Sequence, residues 1–197
     1  MPLAHKTRSK SDPTVAQKWR MTRSHPQNKR PPLDEARLRD LALHYVGRFA
    51  TTRGRLLSYL HRKVRERGWE SETSPDFEAL ANRLAELGYV DDAAYAQMKG
   101  AAMTRRGLGV RRVRTTLQAD GVAEVDREGA EDKARDEAWD AADTLARRKR
   151  IGPYALAAAD PAVRQKQIAT FLRAGHDFAT ARAWIQAAPG QFPEKEI

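Results

Sequence analysis

Three glycines, Gly68, Gly121 and Gly175, each close an amphipathic stretch, and they stand 53 and 54 residues apart. The stretches read "LLSYLHRKVRERGW", "VRRVRTTLQADGV" and "RQKQIATFLRAGH". In the first two, apolar residues fall at the same offsets from the glycine: Leu57, Leu60 and Val64, then Val110, Val113 and Leu117. The third is looser, with Ile168 and Phe171 or Leu172, as a terminal repeat can be. A period of this length predicts helix, helix ending at Gly, then a third helix. The expected fold is therefore all-α, an elongated tandem array of three small three-helix units offering a long surface instead of a deep pocket. Composition agrees. Hydrophobic residues are 41% but aromatics only 7%, which suits helices better than a sheet, and 31% charged residues leave little for one thick core. The predicted divisions are a disordered basic tail (1–33), repeats at 34–90, 91–130 and 131–190, and a C-terminal tail (191–197).

Local signals place the helices. Leu38, Leu41, Tyr45 and Phe49 share one face, and Thr51 or Thr52 can cap the next helix. Ser74 can cap a third, with Pro75 in its first position. Phe77, Leu80, Leu84 and Leu87 make its apolar stripe, closed by Gly88 where a left-handed residue is wanted. In "LGYVDDAAYA", 87–96, the paired carboxylates raise the question of metal or acid–base chemistry. The five histidines (5, 25, 44, 61 and 176) form no cluster with these acids. Asp91 or Asp92 reads instead as the cap of a fourth helix, with Tyr89 and Val90 docking in the core just ahead of it. "RRGLGVRR" lacks the lysine and Ser/Thr of a phosphate loop, so Gly107 and Gly109 read as a turn.

Net charge is +10 and the pI near 10.1, which favours a polyanionic partner or an acidic protein surface. Eight cations against Asp12 in residues 1–33 carry most of it, in a Pro-interrupted segment without apolar periodicity. There is no cysteine, hence no disulfide, thiolate zinc site or Cys nucleophile. No apolar run has the length of a signal peptide or membrane span, so a soluble cytoplasmic protein is expected. Two further basic runs stand out. Lys99, Arg105, Arg106, Arg111, Arg112 and Arg114 occur with no acid between 99 and 114, and Arg147, Arg148, Lys149 and Arg150 follow. Trp69, Trp139 and Trp184 read as packing residues, whereas Trp19 lies among tail cations where it could stack on a base.

The segment "LGYVDDAAYAQMKGAAMTRRGLGVRRVRTTLQADGV" resembles the central part of the bacterial RecX regulatory proteins, with their Leu-Gly-Tyr-hydrophobic-Asp-Asp signature, basic run, Gly-x-Gly-like turn and Leu-x-x-x-Gly helix end. The resemblance is most specific over 84–122, and "LARRKRIGPY" resembles what some members carry before their last repeat. It implies three tandem three-helix units in a curved molecule, with no catalysis or cofactor. It also implies a partner, the RecA recombinase filament on single-stranded DNA, whose recombinase, ATPase and coprotease activities members inhibit by lying in the filament groove. The basic residues from Lys99 to Arg114 and from Arg147 to Arg150 are then the expected contact surface of a monomer. The basic tail and the shortened Leu-to-Gly spacing of the third repeat depart from the family pattern. The alternative is an autonomous nonspecific DNA-binding protein acting through its basic tail and helices. "VRRVRTTLQAD" has mainly arginines and threonines, suited to phosphate contact rather than base readout. An enzyme comes third, for want of a nucleophile elbow, metal motif or nucleotide loop.

Overall fold

A computed structural model describes residues 31–195, and among them the regular structure is entirely helical. The described residues form nine α-helices, α1 (Glu35–Arg48), α2 (Arg53–Arg67), α3 (Phe77–Glu86), α4 (Asp92–Thr104), α5 (Val110–Ala119), α6 (Glu124–Asp136), α7 (Ala138–Lys149), α8 (Pro161–Ala174) and α9 (Phe178–Gln186). A 3₁₀ turn at Gly152–Tyr154 follows α7. Among the described residues, pairing of extended backbone is confined to one bridge, Leu33 with Trp69. The tail cations through Arg30, and Trp19 with them, lie outside the described residues.

Apolar side chains gather in three clusters, each drawn from three consecutive helices. Leu38, Ala42, Leu56, Leu60, Ala81 and Leu84 centre the first. Tyr95, Met103, Val113, Leu117, Ala130 and Ala134 centre the second, which extends through α6 past residue 130. Leu145, Ala146, Phe171, Ala181, Trp184 and Ile185 centre the third. Alanines recur in each cluster and let helix backbones approach closely there. Phe171 stands at the offset from Gly175 that Leu117 holds from Gly121, and it is fully buried.

Several local expectations are corrected. Leu33, placed in the tail by its sequence, is fully buried, and its N–H and C=O bond to the Gly68 carbonyl and Glu70 amide at 3.0 and 2.9 Å. The cap of α3 is Asp76, which accepts from the Ala79 amide at 2.9 Å, so Ser74 and Pro75 precede the helix. Phe49, Leu87 and Tyr89 each keep about half their surface exposed, because each follows its helix or ends it, where the stripe turns away from the core. Of the Tyr89–Val90 pair only Val90 docks. The tryptophans pack as expected: Trp139 and Trp184 lie ring to ring at 5.5 Å, and the Trp69 indole N–H donates to the Thr73 carbonyl at 2.6 Å.

The bundles join through the ends of their middle helices. The Gly109 and Arg111 amides, at the start of α5, donate to the Ala174 and Gly175 carbonyls at the end of α8, at 2.9 and 3.2 Å. The end of α5 in turn meets the start of α2, where the Thr52 hydroxyl donates to the Asp120 carbonyl. Each junction sets a helix N-terminus against a helix C-terminus, so the dipoles align head to tail; between α5 and α8 orphan amides meet orphan carbonyls, whereas at α2 a side-chain hydroxyl supplies the donor. Only glycine permits such approach. A Cβ on Gly109 would stand 2.5 Å from the Gly175 oxygen, and one on Gly54 would stand 2.9 Å from the Gly121 Cα.

Candidate functional site

The opening carboxylates of α4 turn out to cap two helices. Asp91 accepts from the Ala94 amide at 2.8 Å and caps its own helix. Asp92 accepts from the Arg53 amide, also at 2.8 Å, and so serves the first residue of α2 in the neighbouring bundle. Burial pushes the Asp92 carboxyl above its usual range, against the opposing effect of the Arg53 amide. Nearby, Tyr95 donates to Asp120 at 2.8 Å and Arg55 pairs with the same carboxylate at 2.6 Å. Burial, followed by the Asp120 contact, pushes the Tyr95 phenol up to about 12. These acids are structural fasteners.

The two basic runs converge. Arg105 and Arg106 directly follow α4, and α7 ends in Arg147, Arg148 and Lys149. The Arg148 guanidinium donates to the Arg106 carbonyl at 2.7 Å, across the second and third bundles. Gly107, at φ 80°, lets the chain turn against α7, for a Cβ there would stand 2.9 Å from the Leu145 nitrogen. Arg150 ends α7 in the left-handed region, at φ 54° and ψ 52°, a conformation uncommon for a non-glycine residue. Arg105, Arg106, Arg111, Arg112, Lys149 and Arg150 are exposed, and none forms an ion pair with a described carboxylate. Lys99, on α4, is half-buried.

Two members of the runs are committed elsewhere. Arg114 pairs with the buried Glu131 at 2.6 Å, a contact that raises the guanidinium's pKa. Arg127 holds the other Glu131 oxygen at 2.9 Å, so this carboxylate is fully paired. Arg147 bonds the Tyr154 hydroxyl at 3.1 Å and Asp143 at 3.4 Å. Residue spacing could not reveal these partners, since Glu131 reads as one more surface acid of α6. Sequence reading also passed over α2, where six cations face the single acid Glu66.

The fold and this junction define an all-helical protein of successive three-helix bundles. No family model matches the chain. It is 33% identical over 163 residues to the regulatory protein RecX of Myxococcus xanthus, a match spanning 77% of this chain and 86% of that protein. The chain belongs to the RecX regulatory protein family. A crystal structure of a regulatory protein RecX superposes with a TM-score of 0.57 at 21% identity, covering 74% of this chain and 68% of that one. RecX from Lactobacillus salivarius superposes with a TM-score of 0.54 at 19% identity, covering 77% and 94%. Both share the helical fold. Among the described residues no helix is long and apolar enough to cross a membrane.

Proposed function

We propose that this chain restrains the RecA recombinase by seating as a monomer on its filament on single-stranded DNA, in the cytoplasm and without catalysis or cofactor of its own. Strand exchange, ATP hydrolysis and coprotease activity are then all inhibited. The observation that carries the reading is the Arg148–Arg106 contact, which gathers two basic runs at one junction. A surface of unpaired guanidinium and ammonium groups is complementary to a groove holding acidic protein and DNA phosphates. Membership of a regulatory family supports the same reading.

The test is recombinase ATPase on single-stranded DNA with the chain titrated in. Inhibition is expected from the parent protein and should fall steeply when Arg105, Arg106, Arg111 and Arg112 are reversed to Glu. The buried Val113 and Leu117 stay in place, so α5 should still fold. Absence of inhibition at any stoichiometry would refute the reading. Binding to naked DNA at physiological salt without action on the recombinase would favour the autonomous DNA-binding alternative. Deleting residues 1–33 tests the tail, although removing Leu33 from the core makes deletion to Arg30 the cleaner variant. Inhibition should survive that deletion.

A further inference from the structure

The outer face of the first bundle carries an aromatic group clasped by cations. Tyr45 of α1 and Tyr59 of α2 stack at 4.1 Å with their planes 10° apart. Phe49 continues the group, its ring 5.5 Å from Tyr45, and is 54% exposed. The Arg48 guanidinium lies over Phe49 at 5.7 Å, while Arg62 and Lys63 lie over Tyr59 at 5.6 and 5.8 Å. Tyr45 and Tyr59 pack partly against the first core, but Phe49 does not. Arg48 forms no ion pair with a described carboxylate, and Gly47 beside it faces open space.

We propose that this face binds an unpaired strand of nucleic acid. Phe49 stacks on a base, while Arg48 and Arg62 contact the flanking phosphates. Every base offers a π-face to an exposed ring, and cations spaced around the ring follow the backbone. A duplex hides those faces within its own stack, so the fit is to a single strand. A lone exposed apolar residue is ordinary; an exposed ring continuous with a stacked pair, under three cations, has the parts a strand needs. On α2, Arg62 and Lys63 share the single carboxylate of Glu66, at 3.7 and 2.6 Å, so the cluster around the rings stays net positive, while Arg53 and Arg55 pair with Glu78 and Asp120 and take no part in it. The surface lies on a different bundle from Arg106 and Arg148, and it does not depend on the proposed action on the recombinase.

The experiment uses the full chain, with no other protein present, and a fluorescein-labelled oligothymidylate followed by anisotropy across a salt series. Phe49→Ala should weaken binding roughly five- to hundredfold, the range for losing one base stack, with little change in salt slope. Phe49→Trp should restore it. Arg48→Ala with Arg62→Ala should instead lower the log–log slope by about 1.4, for two phosphate contacts on a single strand. Oligonucleotides carrying 5-iododeoxyuridine, photocrosslinked to the unaltered protein, should attach at Phe49 or Tyr59, a readout that needs no variant to fold. Crosslinks confined to other segments would overturn the proposal. So would parental affinity and slope in both variants. Variants that bind the oligonucleotide normally but lose inhibition of the recombinase would assign the face to a protein partner, and the proposal would fail.

Discussion

Asp92 reaches out of its own helix to accept the amide of Arg53, 2.8 Å away, while Asp91 caps the helix that both begin. Two adjacent carboxylates thus hold two bundles. Replacing either by Ala should cost about 0.5–2 kcal/mol through cap loss. Amide exchange separates them, because Asp91→Ala should expose Ala94 and Asp92→Ala should expose Arg53. Asp92→Asn keeps the acceptor without the charge. Since burial raises the Asp92 pKa above 3.8, the native state holds that proton more tightly than the unfolded chain. The difference works against stability as pH rises through the carboxylate range, so denaturation should find the Asn variant gaining on the parent there. Equal curves would disprove the burial argument.

His176 fastens the third bundle to the second through a hydrogen bond from Nε2–H to the Gly107 carbonyl, at 3.1 Å. The other ring nitrogen, Nδ1, is buried without a partner. Burial therefore pushes the ring pKa below 6.5, and the Gly107 bond and nearby Asp177 only partly offset it. The unfolded chain takes up a proton before the native one does, so stability is fully present above 6.5 and falls as pH drops below that value. Thermal melts between about pH 7.5 and about pH 5 should show this acid limb, and His176→Gln, which keeps a donor, should flatten it. An unchanged limb would shift the cause to other groups.

Glycines at the junctions and glycines in open helix should respond oppositely to alanine. Gly47 in α1 has nothing within 4 Å of an added Cβ. Gly47→Ala should therefore stabilise the first bundle by about 0.5–1 kcal/mol. Gly109→Ala places a methyl against the Gly175 carbonyl and should cost about 1–3 kcal/mol. Its signature is faster exchange of the Arg111 amide, which bonds to that carbonyl.

Glu131 tests the difference between surface charge and structural charge. Its carboxylate is buried, paired on one oxygen with Arg114 and on the other with Arg127, which is itself only 11% exposed. Glu131→Ala leaves the buried Arg127 guanidinium only the Val122 carbonyl and the exposed Glu124 carboxylate, and should cost about 3 kcal/mol in urea denaturation. Arg114→Ala should cost far less, as that side chain is half exposed. Equal losses would mean that the pair does not share one buried anion.

What the residues disclosed in advance follows from the range of each force. Apolar periodicity located the helices, because every turn of Leu38–Ala42 or Val113–Leu117 repeats the same burial. Gly88, Gly121 and Gly175 announced helix ends because their left-handed backbone excludes most other residues. The site was legible only as composition. That Arg114 serves Glu131, that Arg148 reaches Arg106, and that Asp92 serves Arg53 are settled by folding across long sequence separations. No local pattern encodes them. The Tyr45–Phe49–Tyr59 group was hidden similarly: Tyr45 belongs to an ordinary apolar stripe until α2 brings Tyr59 over it.

The junction between α8 and α5 is written almost wholly in main chain: two amides, two carbonyls and a pair of glycines. Such a coupling makes few demands on side-chain identity. Outer faces can then change without touching these main-chain bonds, and the solved structures at 21% and 19% identity share the helical fold. It also makes the bundles graftable. A hybrid that takes its third bundle from a distant relative should dock in register if Gly109, Gly175, His176 and Arg148 are kept, whatever the rest of its surface brings.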